Sequence, residues 1–253
     1  MPSVRVAIAP FLRFCPEVIT LGVRACIGDY SEEEKALLRN ASLIFYPTPR
    51  FSNTFEAAGK EIFPSAASCT FQHSRLHREL LFQVLNLPHP KSRIFFGSRQ
   101  KASIPSHFAF PLLATGPSAS SPVHLVEDLR GLRAVARKYN PLIVREETAW
   151  DERLRFIFIK YGCAGIQRLE SGAAAPGTWT PVLGDSARVR EIAESSERML
   201  RSLGVDEIAL EWGRANDKWQ ICAMARPPLR WMMPEGEVNR FRHVAALIGR
   251  SIL

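Results

Sequence analysis

The stretch "EIALEWGRAND", Glu207 to Asp217, runs straight into "KWQICAMARPPLRW", Lys218 to Trp231, and the pair reads as two strands joined by a turn. Alternate residues of a strand share a face, so such a hairpin can present acidic side chains to a metal ion and a phosphate. The first strand offers Glu211; the second offers Ala223 and Ala225, which carry no oxygen. Upstream, in "DERLRFIFIKYGCAGIQR", Arg155 stands beside an unbroken apolar run, where a guanidinium needs a counter-charge or an anionic ligand. No other catalytic pattern competes. There is no G-x-S-x-G elbow, P-loop, G-x-G-x-x-G or H-E-x-x-H, and the six histidines show no metal-ligand spacing.

The elements that must position these residues fall into two kinds. The first part alternates strand and helix. "VRVAIA" and "SLIFYPTP" read as strands, and "SEEEKALLRN" as a helix with Ser31 as its cap, acids in its first turn and Arg39 near its end. "SRLHRELLFQVLNLP" is a second helix, capped by Ser74, and "SRIFFG" a further strand. Residues 1–97 therefore predict a small α/β unit with a mostly parallel sheet. After it come a strand in "FAFPLLA", a flexible loop in "GPSASSP" and an amphipathic helix in "VEDLRGLRAVARKYN". Strands in "PLIVREE", "RLRFIFIKYG" and "GIQRLE" follow, then a small-residue loop, a helix closed by Gly204, the hairpin and a terminal helix. Strands that follow one another directly imply antiparallel pairs, so residues 98–253 predict an α+β half.

Bulk properties narrow the class. The chain has 253 residues with 46% hydrophobic and 23% charged, ordinary values for a globular protein. No apolar run approaches the ~20 residues that span a bilayer, which argues against a membrane role. The N-terminus, interrupted by Pro10, Arg13 and Pro16, reads as a strand and not a signal peptide. Five scattered cysteines with no C-x-x-C spacing argue against zinc and disulfides and suit a reducing, cytoplasmic setting. The net charge of +8 favours anionic partners, but it is dispersed without basic blocks, which weighs against nucleic-acid binding.

The order of these pieces resembles the ATP-grasp superfamily, in particular its branch of glutathione synthetases and ribosomal-protein glutamate ligases. The resemblance is carried by "HSRLHRELLFQVLNLPHPKSRIFFG", "FPLLATGP", "PLIVREE", "DERLRFIFIKYGCAGIQR" and "GVDEIALEWGRANDKWQICAMARPP", in that order. It implies an ATP-grasp fold: a small N-terminal α/β domain (1–97) before an ATP-clamping domain of two α+β lobes (98–253). It also implies ATP and Mg²⁺ as cofactors, and ligation of a carboxylate to an amine or thiol through an acyl phosphate. The partners implied are a nucleotide and a small acidic substrate, and a homodimer is compatible with it.

Carried over residue by residue, the resemblance puts Arg155 and Arg168 at two ribbon arginines that stabilise the acyl phosphate. Arg75 or Arg78 falls near an early nucleotide-binding lysine, and a solvated helix face is the other reading of both. Thr115 falls on the phosphate lysine and Gly116 begins the phosphate-covering loop. Val144, Arg145, Glu146 and Glu147 match the hinge whose main chain pairs with adenine. Glu211 matches the first metal carboxylate, whereas Ala223 and Ala225 fall on the second carboxylate and on an asparagine. Two readings follow: a divergent or impaired ligase, or an inactive relative on the same scaffold that binds a nucleotide, an acidic ligand or a protein.

Overall fold

The computed structural model describes residues 4–170, 178–183 and 186–253. The small-residue loop expected over 171–177 lies outside them.

The chain opens with β1 (Val4–Ala7), β2 (Ile19–Thr20), α1 (Glu32–Asn40), β3 (Ala41–Phe45), α2 (Pro49–Ala57) and β4 (Glu61–Phe63). Its strands form a parallel sheet in the order β2-β1-β3-β4. Ser31 caps α1 as expected, in a reciprocal box: its hydroxyl accepts from the Glu34 N–H while the Glu34 carboxylate accepts from the Ser31 N–H. Two helices then run end to end, α3 (Ala66–His73) and α4 (Arg75–Val84), with Ser74 capping the second by accepting from the His77 N–H.

The second sheet is built from β5 (Ser92–Phe95), β6 (Leu112–Thr115), β7 (Val123–Val126) and β8 (Leu142–Glu146), with α5 (Gly97–Ala102) and α6 (Leu129–Lys138) between them. Its order is β5-β8-β6-β7 and every pairing is antiparallel. β5, which lies before the expected division at residue 97, joins this sheet. β5 is hydrogen-bonded to β8 and not to the parallel sheet, because Ser92–Phe95 finds its open ladder there.

The third sheet comprises β9 (Glu152–Ile159), β10 (Gly162–Glu170), β11 (Thr178–Pro181), β12 (Glu207–Ala215) and β13 (Lys218–Ala225), in the antiparallel order β11-β10-β9-β12-β13. α7 (Ala187–Ser202) covers one face, and the chain ends in the hairpin β14 (Arg230–Met233) and β15 (Gly236–Asn239) followed by α8 (Arg240–Gly249). The apolar run in β9 reads as continuous because both faces are covered. Leu154, Phe156 and Phe158 pack with α7 residues Val189, Ile192 and Leu200. Ile157 and Ile159 pack with Phe45 and Phe63 of the first unit and Val244 and Ile248 of α8.

One buried ion pair ties these parts together. Glu207 of β12 is fully buried, and both its oxygens accept from the Arg240 guanidinium of α8, the Nε contact being 2.7 Å. The Tyr46 hydroxyl donates to the same carboxylate at 3.1 Å, and Gln72 of α3 donates to the Glu207 carbonyl at 2.8 Å. Burial, reinforced by the neighbouring carboxylate, pushes the Tyr46 hydroxyl well above its usual range, so it stays a donor. Removing one member strands the other in a dry interior. We expect Arg240→Ala to cost about 3–5 kcal/mol, read as a shifted midpoint in urea unfolding.

Next to it, Asp206 is buried against the start of α3, where it accepts from the Ser65 N–H and the Ser68 hydroxyl. Burial raises its carboxyl from 3.8 to about 6, so the native state holds that proton more tightly than the unfolded chain. Stability is therefore full below 3.8 and is lost as pH rises through about 6. An Asp206→Asn variant should match the parent at pH 4 and exceed it at pH 7.5 by up to roughly 3 kcal/mol, measured by urea unfolding at both values.

Candidate functional site

A cleft of about 610 Å³ lies between the second and third sheets. Thr115 and Leu113 of β6 and Ile143 and Arg145 of β8 form one wall; Cys222 to Arg226, on and just past β13, form the other. Arg75, Arg78 and Phe82 of α4 close one end, and Trp150, from the β8–β9 connection, closes another.

The sequence brings Arg75 and Arg78 here together because positions three apart share a helix face. Arg75 reaches β6: one Nη donates to the Thr115 hydroxyl and to the Ser121 carbonyl. Thr115 in turn donates to the Pro122 carbonyl at 2.9 Å. The guanidinium thus sits at the position where the resemblance expects a lysine on the strand itself. Arg78 is buried, donates to the carbonyls of Ser74 and Met224, and has no carboxylate ion pair among the described residues. Burial, with Arg75 close by, lowers its guanidinium to about 10; burial and then Arg145 lower Arg75 likewise. Arg145 crosses the cleft and donates to the Cys222 carbonyl at 2.7 Å. These side chains repel one another, so their common surroundings favour an anion.

The loop after β6 is not the free loop that its small residues suggest. The Arg75 N–H donates to the Pro117 carbonyl and the Ala119 N–H to the His73 carbonyl, which staples residues 117–119 to the start of α4. Gly116 is required by packing: a Cβ there would lie 2.5 Å from the Tyr139 ring.

Val144, Arg145 and Glu146, expected at the hinge, lie on the last residues of β8. β8 is a central strand, with Val144 paired to both Arg93 and Ala114 and Arg145 to both Ser92 and Leu113, while the Glu146 N–H donates to Lys91. Val144 and Arg145 are thus paired on both sides in the sheet. Glu146 and Glu147 line a separate recess with Lys91 and Phe108. The residue from this connection that does reach the cleft is Trp150, which sequence reasoning missed. Its signal was Gly213, where a Cβ would meet the Trp150 ring at 2.3 Å, so the indole lies directly on β12 backbone.

Glu211 is engaged on both oxygens, with Arg153 Nη2 at 2.6 Å and Arg155 Nη2 at 2.7 Å. Arg155 also stacks over the Trp179 ring, 3.9 Å from its centroid. The structure does not bring Arg168 to this group. Arg168 pairs in register with Leu154, and Gln167 pairs with Arg155, which turns Arg168 to the opposite face. There it binds Glu152 at 3.0 Å, half exposed. Ala223 stands opposite Glu211 and Ala225 opposite Ala209, so neither adds an oxygen. Cys222 is no nucleophile here: burial pushes its thiol up to about 11.

A smaller recess of about 210 Å³ adjoins the cleft and shares Gln72 and Arg226 with it. Phe11, Tyr46, Pro49 and His73 are among its walls, so the first unit supplies most of it.

Solved structures with this arrangement of sheets decide the fold. A RimK-domain ATP-grasp protein from Sphaerobacter thermophilus superposes with a TM-score of 0.66 at 16% identity, over 88% of this chain and 91% of the other. The chain has the ATP-grasp fold. A D-alanine–D-alanine ligase from Bacillus anthracis, solved with ATP, gives a TM-score of 0.65 at 8% identity, over 89% of this chain and 87% of that one. An N5-carboxyaminoimidazole ribonucleotide synthetase from Thermus thermophilus gives 0.63 at 17% identity, and this chain spans only 64% of its length. No family model and no curated protein matches the sequence.

Within that fold, the residues present do not fit Mg²⁺. A hard dication takes oxygen ligands, yet the oxygens of Glu211 are held by two arginines and its neighbours are alanines. Arg153 Nε, a buried donor without an acceptor, has the wrong sign for a cation. Among the described residues no group of three or more His, Cys, Asp or Glu could hold a metal. Glu211 is instead a counter-ion. We expect Glu211→Ala to cost about 2–3 kcal/mol by leaving Arg153 and Arg155 face to face, with sulfate restoring part of the lost Tm in a thermal melt.

Proposed function

We propose that the protein binds a nucleotide by its phosphates in the cleft between the two lobes, as an ATP-dependent ligase-like protein whose acyl-phosphate chemistry is impaired. One observation carries this reading. Arg75, Arg78, Arg145 and Arg226 line a single cleft, and among the described residues none of them has a carboxylate ion pair. Cations held away from water without counter-charges are stabilised by an anionic ligand.

The adjoining recess supports a small acidic substrate, with Arg226 at the junction where its carboxylate would meet a terminal phosphate. Ligation would then require the carboxylate oxygen to attack that phosphorus as the nucleotide diphosphate leaves. Charge developing in that step needs preorganised stabilisers, and losing each one typically costs a factor of roughly 10² to 10³. Ala223, Ala225 and an engaged Glu211 support a site in which binding outlasts turnover. The second reading, a nucleotide binder without ligation, is the limiting case of that impairment.

Thermal denaturation tests both parts. Saturating ATP should raise Tm, by the equivalent of about 2.7 kcal/mol at a hundred times Kd. ADP release across a panel of amino acids should stay at background. Absence of any shift at millimolar ATP would remove the nucleotide reading; ADP release stimulated by one carboxylate would restore full ligase activity.

A further inference from the structure

We propose that the cleft takes a polyphosphate directly into its arginine side chains, with no divalent metal ion between protein and phosphate. This rests on the reading of the cleft as a phosphate site, but not on the ligand being a nucleotide.

The groups facing the cleft divide cleanly by sign. On the acidic side, Glu211 is consumed by Arg153 and Arg155. Glu79 is the one acid in the cleft lining, and it accepts from the Ser92 hydroxyl. Ala223, opposite Glu211 across the strand pair, contributes only a methyl group. On the basic side, a guanidinium has five N–H donors, and the hydrogen bonds made here use a minority of them. Arg145 donates once, to Cys222; Arg78 donates from Nε to Ser74 and from one Nη to Met224; Arg75 donates from one Nη only. Against the single Glu79 carboxylate, the surplus is therefore of donors.

Geometry reinforces the count. The three arginines come from α4 and β8, on two sides of one cavity, and each is anchored through a carbonyl or hydroxyl, so the fork is held in place before a ligand arrives. Such forks match phosphate oxygens in pairs. A dication placed among them would meet three guanidinium groups with only the Glu79 carboxylate to offset them, whereas a polyphosphate stripped of its metal carries the charge that balances them.

Calorimetric titration of the full chain tests this with two probes, ATP and sodium tripolyphosphate, each in EDTA and in excess MgCl₂. The expected result is an affinity in EDTA that is within about threefold of the MgCl₂ value, or tighter, for at least one probe. Weakening by more than about threefold in EDTA for whichever probe binds overturns the proposal, as does failure of both probes in both buffers. The two readings fail differently. Tripolyphosphate binding in EDTA without ATP binding removes the nucleotide and keeps the metal-free site; ATP binding that requires MgCl₂ does the reverse.

Variants locate the site. Arg75→Gln and Arg145→Gln should each weaken metal-free binding by about tenfold or more, the loss of a charge-assisted hydrogen bond. Unchanged affinity in both would place the anion elsewhere and overturn the assignment. Arg75→Lys and Arg145→Lys keep the charge but lose the fork, so they answer the question if a glutamine variant does not fold. Weaker binding is expected of both, and parental affinity in both would overturn the forked contact.

Discussion

Two arginines from outside the five-stranded sheet close its open edge. β13 is the last strand of that sheet, and an edge strand leaves carbonyls without partners. Here the carbonyls of Cys222 and Met224, two residues apart and so pointing the same way, accept from Arg145 of β8 and Arg78 of α4. A carbonyl left unmet at this depth would cost about 1–3 kcal/mol. The contacts therefore do more than decorate the cleft. They pin the second sheet and α4 to the third sheet, set the spacing between the lobes, and bring cations to the one place where a ligand could lie between them.

The charge pattern of the cleft follows from that constraint. Once guanidinium groups secure the edge, a carboxylate on the sheet face within their reach is drawn into ion pairs. Glu211 shows the outcome: a carboxylate on the sheet face, within reach of Arg153 and Arg155, bound to both. The alanines opposite add no further acid, and the site remains cationic. Likewise, Thr115 does not leave its position without a charge, because Arg75 delivers one from the neighbouring helix through the Thr115 hydroxyl. The cation at this strand is supplied by the helix.

Much of this fold could be read from the chain, for local reasons. The caps at Ser31 and Ser74 and the helix end at Gly204, with its positive φ of 65°, are short-range chemistry visible in the sequence. The hairpin that carries Glu211 and Ala223 was legible as a hairpin, but its register was not: counted from the turn, Glu211 would face Cys222, and the shift between Glu211 and Trp212 sets it against Ala223. What escaped was long-range or small. β4 has three residues and β2 two, too few for a periodic signal. The pairing of β5 with β8 depends on which sheet offers an open ladder, and spacing does not encode that. Arg168 was misplaced for a sharper reason. Side chains on a strand alternate, and the register shift between Cys163 and Gly165 offsets the count by one, so the residue that faces with Arg155 is Gln167. Trp150 had no motif at all; only the bare backbone of Gly213 beneath it marks the place.

The two cavities share Gln72 and one charged side chain, Arg226, and the sequence shows why the arginine stays there. Arg226 follows the last residue of β13 and precedes Pro227 and Pro228, whose fixed φ holds the exit rigid. The Pro227 carbonyl accepts from Arg240, the same guanidinium that neutralises the buried Glu207. The arginine at the junction is therefore fixed through the buried pair that joins β12 to α8, and not through the cleft itself. A ligand in the cleft and a ligand in the recess would share Arg226, so each would lower the cost of holding its charge for the other only if their charges did not compete. Two anions bound together would divide a single guanidinium, which favours occupancy of one cavity at a time unless a bond forms between the occupants. On the proposed reading, the alanines at 223 and 225 and the side chain at the junction would act on different steps: the alanines offer no help to bond formation, while Arg226 faces both cavities and would bring their occupants to one point.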